Sequence, residues 1–330
     1  MSIEALLRTA SAWRDPHDPR GAALRRRLRE TSLLSERGIE LALTRYLETD
    51  LSRGERARLR ARAAHHQAEV VHVLLAGNVC VAALRAVIFA LACAPRVVLR
   101  ASRRDPALAE AIAEHCAAVT LTDRLEPAAA HGVHLHGSDE TLTTLQLPGR
   151  TLRFGSGFGV AVVGETLDGL VDDLVAFDGA GCISPRVIVA EDPERTLADL
   201  HAALEASTVP RGSLRSEDRA ALVRARATFS AVGTWRDGRD HALALDPAPE
   251  ALTLLPPLRA AVVVPTDGVE RWLPAKGITI IGGDGPTAER IAALAPDARR
   301  APLGAMQCPP LDGPVDLRPL GAHDRSRDGS

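Results

Sequence analysis

An α/β fold built on parallel β-sheet is predicted by three features of this sequence. Short apolar runs recur along the chain. They alternate with segments of helical periodicity, and they close on small polar turns such as Gly77-Asn78 and Gly137-Ser138. The 330 residues are 46% hydrophobic and 25% charged, an ordinary globular balance for about two domains. A net charge of −2 gives no global steering toward nucleic acid or an anionic membrane. Aromatic residues make up only 3%, and Lys276 is the only lysine, so any Schiff-base or P-loop chemistry would have to use it.

Residues 1–68 form the first segment. Leu28, Leu33, Leu34, Ile39, Leu41, Leu43 and Leu47 alternate with charges, which predicts amphipathic helices, and Arg53, Arg56, Arg58, Arg60 and Arg62 read as a solvated face. An α/β domain is expected over 69–150. Val70–Leu75 is a buried strand ended by Ala-Gly-Asn, Val79–Cys93 an apolar helix stopped by Pro95, and Val97–Leu99 a second strand. Asp105-Pro106 opens a helix reaching about His115, with Asp as N-cap and Pro in the first turn. Ala118–Leu121 and Val133–His136 are further strands, and Ser138 is placed to cap another helix. A second α/β domain is expected over 151–318. It has strands at Gly159–Val163, Arg186–Ala190, Ala260–Val264 and Gly277–Ile281, and helices at Leu167–Phe177 and 193–206. A loose tail follows over 319–330. In such sheets ligands bind beyond the carboxyl ends of the strands, here Gly77-Asn78, Arg100–Arg103 and Gly137-Ser138.

The start of the chain lacks the long apolar stretch of a signal peptide. Val70–Leu99 is interrupted by His72, Asn78, Arg85, Pro95 and Arg96, so it reads as strand, loop and helix rather than a membrane span. Five cysteines without a CxxC pair suit a reducing compartment. A soluble cytoplasmic protein is the expectation.

Of the five, Cys80 and Cys93 fall on the apolar helix, Cys116 ends a helix and Cys308 sits in a Pro-rich loop. Cys182 lies in Asp178-Gly-Ala-Gly-Cys-Ile-Ser-Pro185, a tight small-residue loop between helix and strand. Small residues let a carbonyl substrate reach a sulfur and the backbone N–H groups together, although a reduced cysteine often serves only as a small hydrophobe. His134 and His136 share a strand face near His131. No Cys or carboxylate completes a ligand set at standard spacing, so no metal is expected.

The Cys182 loop resembles the nucleophile loop of aldehyde dehydrogenases. It is more similar to that of the acyl-CoA reductases of the bacterial bioluminescence system, roughly Asp-Gln-x-x-Cys-x-Ser-Pro. Four more segments fit in order: Leu74-Leu-Ala-Gly-Asn-Val79, Val97-Val-Leu-Arg-Ala-Ser-Arg-Arg-Asp-Pro106, His136-Gly-Ser-Asp-Glu-Thr141 and Pro302-Leu-Gly-Ala-Met-Gln-Cys-Pro-Pro310. Together they cover roughly residues 70–320. The chain is shorter than a typical member. Arg153 stands where aldehyde dehydrogenases carry the glutamate that activates the hydrolytic water, and Ala305 replaces the arginine of Gly-Arg-Met-Gln. Glu165 could replace that glutamate but reads as a surface residue.

The resemblance implies an aldehyde dehydrogenase-like fold, with a Rossmann-like cofactor domain and an α/β catalytic domain. It implies that Cys182 attacks an acyl thioester of CoA or a carrier, that Asn78 and the Cys182 N–H hold the oxyanion, and that a nicotinamide reduces the acyl-enzyme to an aldehyde. Without a general base, hydrolysis of that acyl-enzyme is slow. Arg100, Ser102 and Arg103 fall in the cofactor segment. Guanidinium groups there match a 2′-phosphate, so NADPH is the expected cofactor. Gly137 and Ser138 are placed for the pyrophosphate. The resemblance leaves the oligomeric state open, with self-association usual in this fold. A non-catalytic partner in a lipid-synthesis complex, or an acyltransferase, is the alternative.

Overall fold

The computed structural model describes residues 3–245, 255–271, 273, 277–315 and 317; Lys276 and the expected tail at 319–330 lie outside them. The chain divides into two compact units. The described residues of Met1–Ser32, Ile39–Ser156 and Pro310–Ser330 form one, and Leu33–Gly38 with Gly157–Pro309 form the other. Among the described residues no helix is long and apolar enough to cross a membrane.

Helices α1 (Ile3–Arg14), α2 (Pro19–Thr31), α3 (Glu36–Leu41) and α4 (Arg53–Ala64) precede the first strand. Their starts are specified locally. Asp18 accepts from the Arg20 N–H with Pro19 at the first position of α2, and Ser52 and Glu55 form a reciprocal capping box on α4. Leu59 and Ala63 bury one face of α4, while Arg53, Arg58 and Arg60 are exposed, which makes its arginines mainly a solvated face.

The first sheet is parallel throughout, in the order β3-β2-β1-β4-β5. Its strands are β1 (Val70–Leu74), β2 (Arg96–Arg100), β3 (Val119–Leu121), β4 (Gly132–His136) and β5 (Arg150–Phe154). Helices α5 (Ala82–Cys93), α6 (Ala107–His115) and α7 (Asp139–Thr144) connect them. Val71, Val73, Leu99, Val133 and Leu135 are essentially inaccessible, as are Leu84, Val87, Ile88 and Ala90 of α5. Each fully buried Val, Leu or Ile is worth about 1.5–3 kcal/mol, so this β1–α5 pair is a main anchor of the unit. The chain runs outward from β1 to β3 and then returns to β4 beside β1. The switch point of the sheet therefore lies between β1 and β4. Helix α6 starts at Ala107 with Pro106 in the cap position, and the Asp105 carboxylate accepts both from the Ala107 N–H and from the Thr31 hydroxyl (3.1 Å). His134 is buried between the rings of Phe89 and Phe154, and burial brings its pKa down to about 3, so it is a neutral core side chain.

The second unit holds a seven-stranded sheet in the order β12-β11-β6-β7-β10-β9-β8. Its strands are β6 (Phe158–Val162), β7 (Pro185–Ala190), β8 (Thr234–Asp237), β9 (Ala242–Leu245), β10 (Ala260–Pro265), β11 (Ile278–Gly282) and β12 (Arg299–Ala301). All pairs are parallel except β8 with β9. Val187, Val189, Val262, Val264 and Ile281 line a core closed by Phe229. Its helices are α8 (Leu170–Val175), α9 (Pro193–Glu205), α10 (Ser216–Val232) and α11 (Gly285–Leu294). Helix α8 is shorter than the spacing of 167–177 predicts, because Gly169 is left-handed (φ 80°) and breaks the helix before it. A Cβ there would sit 2.6 Å from the Gly304 backbone nitrogen, so only glycine fits. Strand β5 of the first sheet, helices α10 and α11, the β8–β9 hairpin and β12 add to the elements expected from periodicity.

Candidate active site

Cys182 sits between a 3-10 turn, Ala176–Gly179, and β7. It is half-buried, whereas Cys80, Cys93 and Cys116 are buried and Cys308 is exposed. Burial pushes the Cys80 thiol far up and the Cys93 thiol up to about 12, so neither forms a thiolate near neutral pH.

The turn before Cys182 is strained. Phe177 (φ 51°), Asp178 (φ 54°) and Gly179 (φ 69°) are left-handed in succession. A non-glycine residue in that region costs on the order of 1–3 kcal/mol and persists only where its surroundings hold it. Here Asp178 is the anchor. Its carboxylate accepts from Arg259 Nε (2.9 Å) and Nη2 (2.5 Å) and from the Gly212 N–H (3.0 Å), while the Arg259 N–H donates to the Asp178 carbonyl (3.0 Å). Arg259 is itself left-handed (φ 57°) and also donates to the carbonyls of Val209 (2.7 Å) and Pro210 (3.2 Å). Both partners are buried, Arg259 3% and Asp178 8% exposed. Burial raises the Asp178 carboxyl above its ordinary value, and Arg259, the Gly212 N–H and Arg211 oppose that rise.

The other side of the loop is braced from later in the chain. Thr279 Oγ1 lies against the carbonyl oxygens of Cys182 and Phe158 (3.1 Å to the latter), and its one proton serves them in turn. Gln307 Nε2 donates to the Ile183 carbonyl (3.2 Å). The buried Asp173 carboxylate receives the N–H groups of Gly304 (2.6 Å) and Met306 (3.0 Å). The Pro302–Pro310 segment thus holds the Cys182 loop through Gln307 and is itself tied to α8 through Asp173. Nothing in the structure explains Ala305. Sequence reasoning found this segment but not Asp173, Arg259 or Thr279 as supports of the loop.

The remaining candidates belong to the first unit, at the carboxyl edge of its sheet. Gly77 and Asn78 follow β1, Arg100 ends β2 with Ser102 and Arg103 after it, and Gly137 and Ser138 follow β4. Asn78, Arg103 and Ser138 are exposed; Arg100, Ser102 and Gly137 are half-buried. The loops after β1 and β2 are pressed together: a Cβ on Gly77 would lie 2.1 Å from Ser102 Oγ, and the Leu75 N–H donates to the Arg100 carbonyl (3.1 Å). Ser138 caps α7, accepting from the Thr141 N–H (3.3 Å). Arg153, on β5, reaches the carbonyls of Leu142 and Leu145 (both 3.4 Å), where a cation complements the end of α7. Glu165 is exposed.

Neither a family model nor a curated protein matches this sequence. Solved structures do. A putative aldehyde dehydrogenase from Burkholderia cenocepacia is 16% identical, with a TM-score of 0.67 over 92% of this chain and 76% of that one. An aldehyde dehydrogenase from Brucella melitensis biovar abortus 2308 is 11% identical, with a TM-score of 0.65 over 92% and 77%. A methylmalonate-semialdehyde dehydrogenase from Oceanimonas doudoroffii is 14% identical, with a TM-score of 0.59 over 89% and 75%. At these identities the likeness shows the fold: the chain has an aldehyde dehydrogenase-like α/β architecture.

Proposed function

We propose that this protein reduces an acyl thioester to an aldehyde with NADPH, through an acyl-enzyme on Cys182. The observation that carries this reading is the Cys182 loop itself. A half-buried cysteine follows a strained turn fixed by a buried ion pair, within a fold shared with aldehyde dehydrogenases. Such pre-organisation suits a nucleophile that must meet a carbonyl at a defined angle.

The thiolate of Cys182 adds to the thioester carbonyl. The bond to the CoA or carrier sulfur breaks, that thiolate leaves, and the acyl group remains on Sγ. The Cys182 N–H donates to the oxyanion, and the resemblance assigns the Asn78 carboxamide as a second donor. Each donor of this kind is typically worth about 2.7–4 kcal/mol in the transition state. A nicotinamide, when bound by Arg100, Ser102, Arg103, Gly137 and Ser138, would supply the hydride that takes the acyl carbon on Cys182 to the aldehyde oxidation level. The resulting alkoxide on the Cys182 thiohemiacetal collapses, breaks the C–S bond and releases aldehyde with Cys182 again a thiolate.

The first unit suits that cofactor. Its strand order places Gly77 and Asn78 on one side of the β1/β4 switch point and Gly137 and Ser138 on the other, where dinucleotides bind in open α/β sheets. Gly77 packs directly on the Ser102 side chain, which holds the loops after β1 and β2 together at this edge. Beside it, Arg100 and Arg103 offer paired donors for a 2′-phosphate where a carboxylate would repel it. Arg153 explains the direction of the chemistry: a guanidinium occupied by carbonyls cannot act as the base for hydrolysis, so the acyl-enzyme survives to be reduced.

Turnover of acyl-CoA with NADPH by wild type and Cys182→Ala tests the reading. Aldehyde forms with wild type and not with the variant; undiminished turnover in the variant removes Cys182 from the mechanism. Acyl transfer without NADPH consumption would point instead to an acyltransferase.

A further inference from the structure

We propose that His201, Glu205 and His241 form a binding site for a divalent transition-metal ion of the zinc class. The site is part of the second unit, separate from the Cys182 loop, and stands whether or not the proposed reduction does. His201 and Glu205 occupy the last turn of α9 four residues apart, so both face one side of the helix. His241 lies at the entrance to β9, after the turn that joins it to β8. One ligand atom from each of the three lies within 4.8 Å of the others. His241 Nε2 meets His201 Nδ1 at 3.0 Å, and His241 Nδ1 lies 3.8 Å from Glu205 Oε1. Zinc bonds of about 2.0–2.2 Å in a tetrahedron give ligand separations of about 3.4 Å, which side-chain rotation reaches from this arrangement.

The turn is shaped around the imidazole. A Cβ on Gly238 would lie 2.0 Å from His241 Cε1, so glycine is required there, and the Gly238 N–H donates to the His241 carbonyl (2.9 Å). Arg239 clamps the end of α9: its N–H donates to Glu205 Oε1 (2.6 Å) and its guanidinium to the Glu205 carbonyl (3.2 Å). The Arg239 N–H takes one lone pair of Oε1, the oxygen nearest His241, and leaves the other for an ion. His241 is 3% exposed, so its imidazole is fixed between the turn and α9 rather than free in solvent. Glu205, with 38% of its side chain exposed, and half-buried His201 leave an open side for the ion to enter and for water to complete its shell. Two imidazoles and one carboxylate favour zinc-class ions over calcium or magnesium, which prefer oxygen.

The test uses the full chain, stripped of metal by chelator. Titration with Zn(II) by calorimetry should show one saturable equivalent, and Co(II) should give visible bands of a four-coordinate site without thiolate charge-transfer absorption. His201→Ala and Glu205→Gln, both at the accessible side of the cluster, should each weaken binding by about tenfold or more. Circular dichroism of each variant confirms that it remains folded, and the buried His241 is left intact. No saturable binding, a wild-type affinity in both variants, or a thiolate band that marks a cysteine site would each overturn the proposal.

Discussion

Replacing Arg259 with methionine removes the counter-ion of Asp178 while keeping most of the side-chain volume. Asp178 then retains the Gly212 N–H alone among the contacts its carboxylate makes with these groups, and the carbonyls of Val209 and Pro210 lose a donor. The side chains of the pair are 2% and 12% exposed, so solvent does little to compensate. Breaking a buried ion pair by removing one partner costs about 3–5 kcal/mol. At about 2–4 °C per kcal/mol for a unit of this size, the melting temperature should fall by about 6–20 °C. The loss should depend on pH. Burial already raises the Asp178 carboxyl, and without Arg259 it rises further. A carboxyl whose folded pKa lies above its unfolded one contributes stability that is present at low pH and lost as pH rises through the folded value. The penalty of Arg259→Met should therefore be smaller at pH 5 than at pH 8, and Asp178→Asn combined with it should be less damaging than the single variant at pH 8. Urea denaturation of the wild type, both single variants and the double variant at the two pH values measures this. A penalty below about 1 kcal/mol at pH 8, or strict additivity in the double variant, would refute the anchoring role of the pair.

Gly179→Ala should destabilise the same turn, because φ is 69° and the new Cβ would lie 2.9 Å from the Arg259 nitrogen; a melting temperature equal to wild type would contradict this. Burial raises the Asp105 carboxyl to about 6, so the stability it contributes is present below about pH 4 and lost as pH climbs through 6. The stability of Asp105→Asn relative to wild type should consequently grow between pH 4.5 and 7.5, and a constant difference in urea midpoints would count against it. Arg100→Ala and Arg103→Ala should raise KM for NADPH far more than for NADH, whereas equal changes for both cofactors would remove these residues from 2′-phosphate recognition.

Strands β1 to β4 of the first sheet were legible because they are short apolar runs with sharp punctuation, whereas β5, with Arg150 and Arg153 among its five residues, lacks such a run. Val70–Leu74 ends near Gly77 and the helix after it stops before Pro95, so local signals and tertiary fold agree. The second unit was harder. Strand β8 is an antiparallel edge with Thr234, Arg236 and Asp237 exposed, so it lacks the apolar run that marks a buried strand. Helix α10 buries only Ala225 and Phe229 and exposes Val223, too narrow a stripe to give a clear helical period. The position of the Cys182 loop between helix and strand could be read from its neighbours, but its support could not. Arg259 lies 81 residues beyond Asp178, and no local pattern links them. The histidine pair shows the same limit. His134 and His136 attracted notice as neighbours, yet His134 is packed between phenylalanines, while His201 meets a histidine 40 residues away. The four-residue spacing of His201 and Glu205 was the one local signal for that cluster.

The most direct measurement is the mass of the Cys182 peptide after the protein is mixed with acyl-CoA, first without and then with NADPH. The account predicts an acyl adduct on Cys182 alone, stable to water because Arg153 offers no base, and discharged as aldehyde when NADPH is added. No adduct on Cys182, or an adduct that water removes as carboxylic acid at the same rate with or without NADPH, would contradict it.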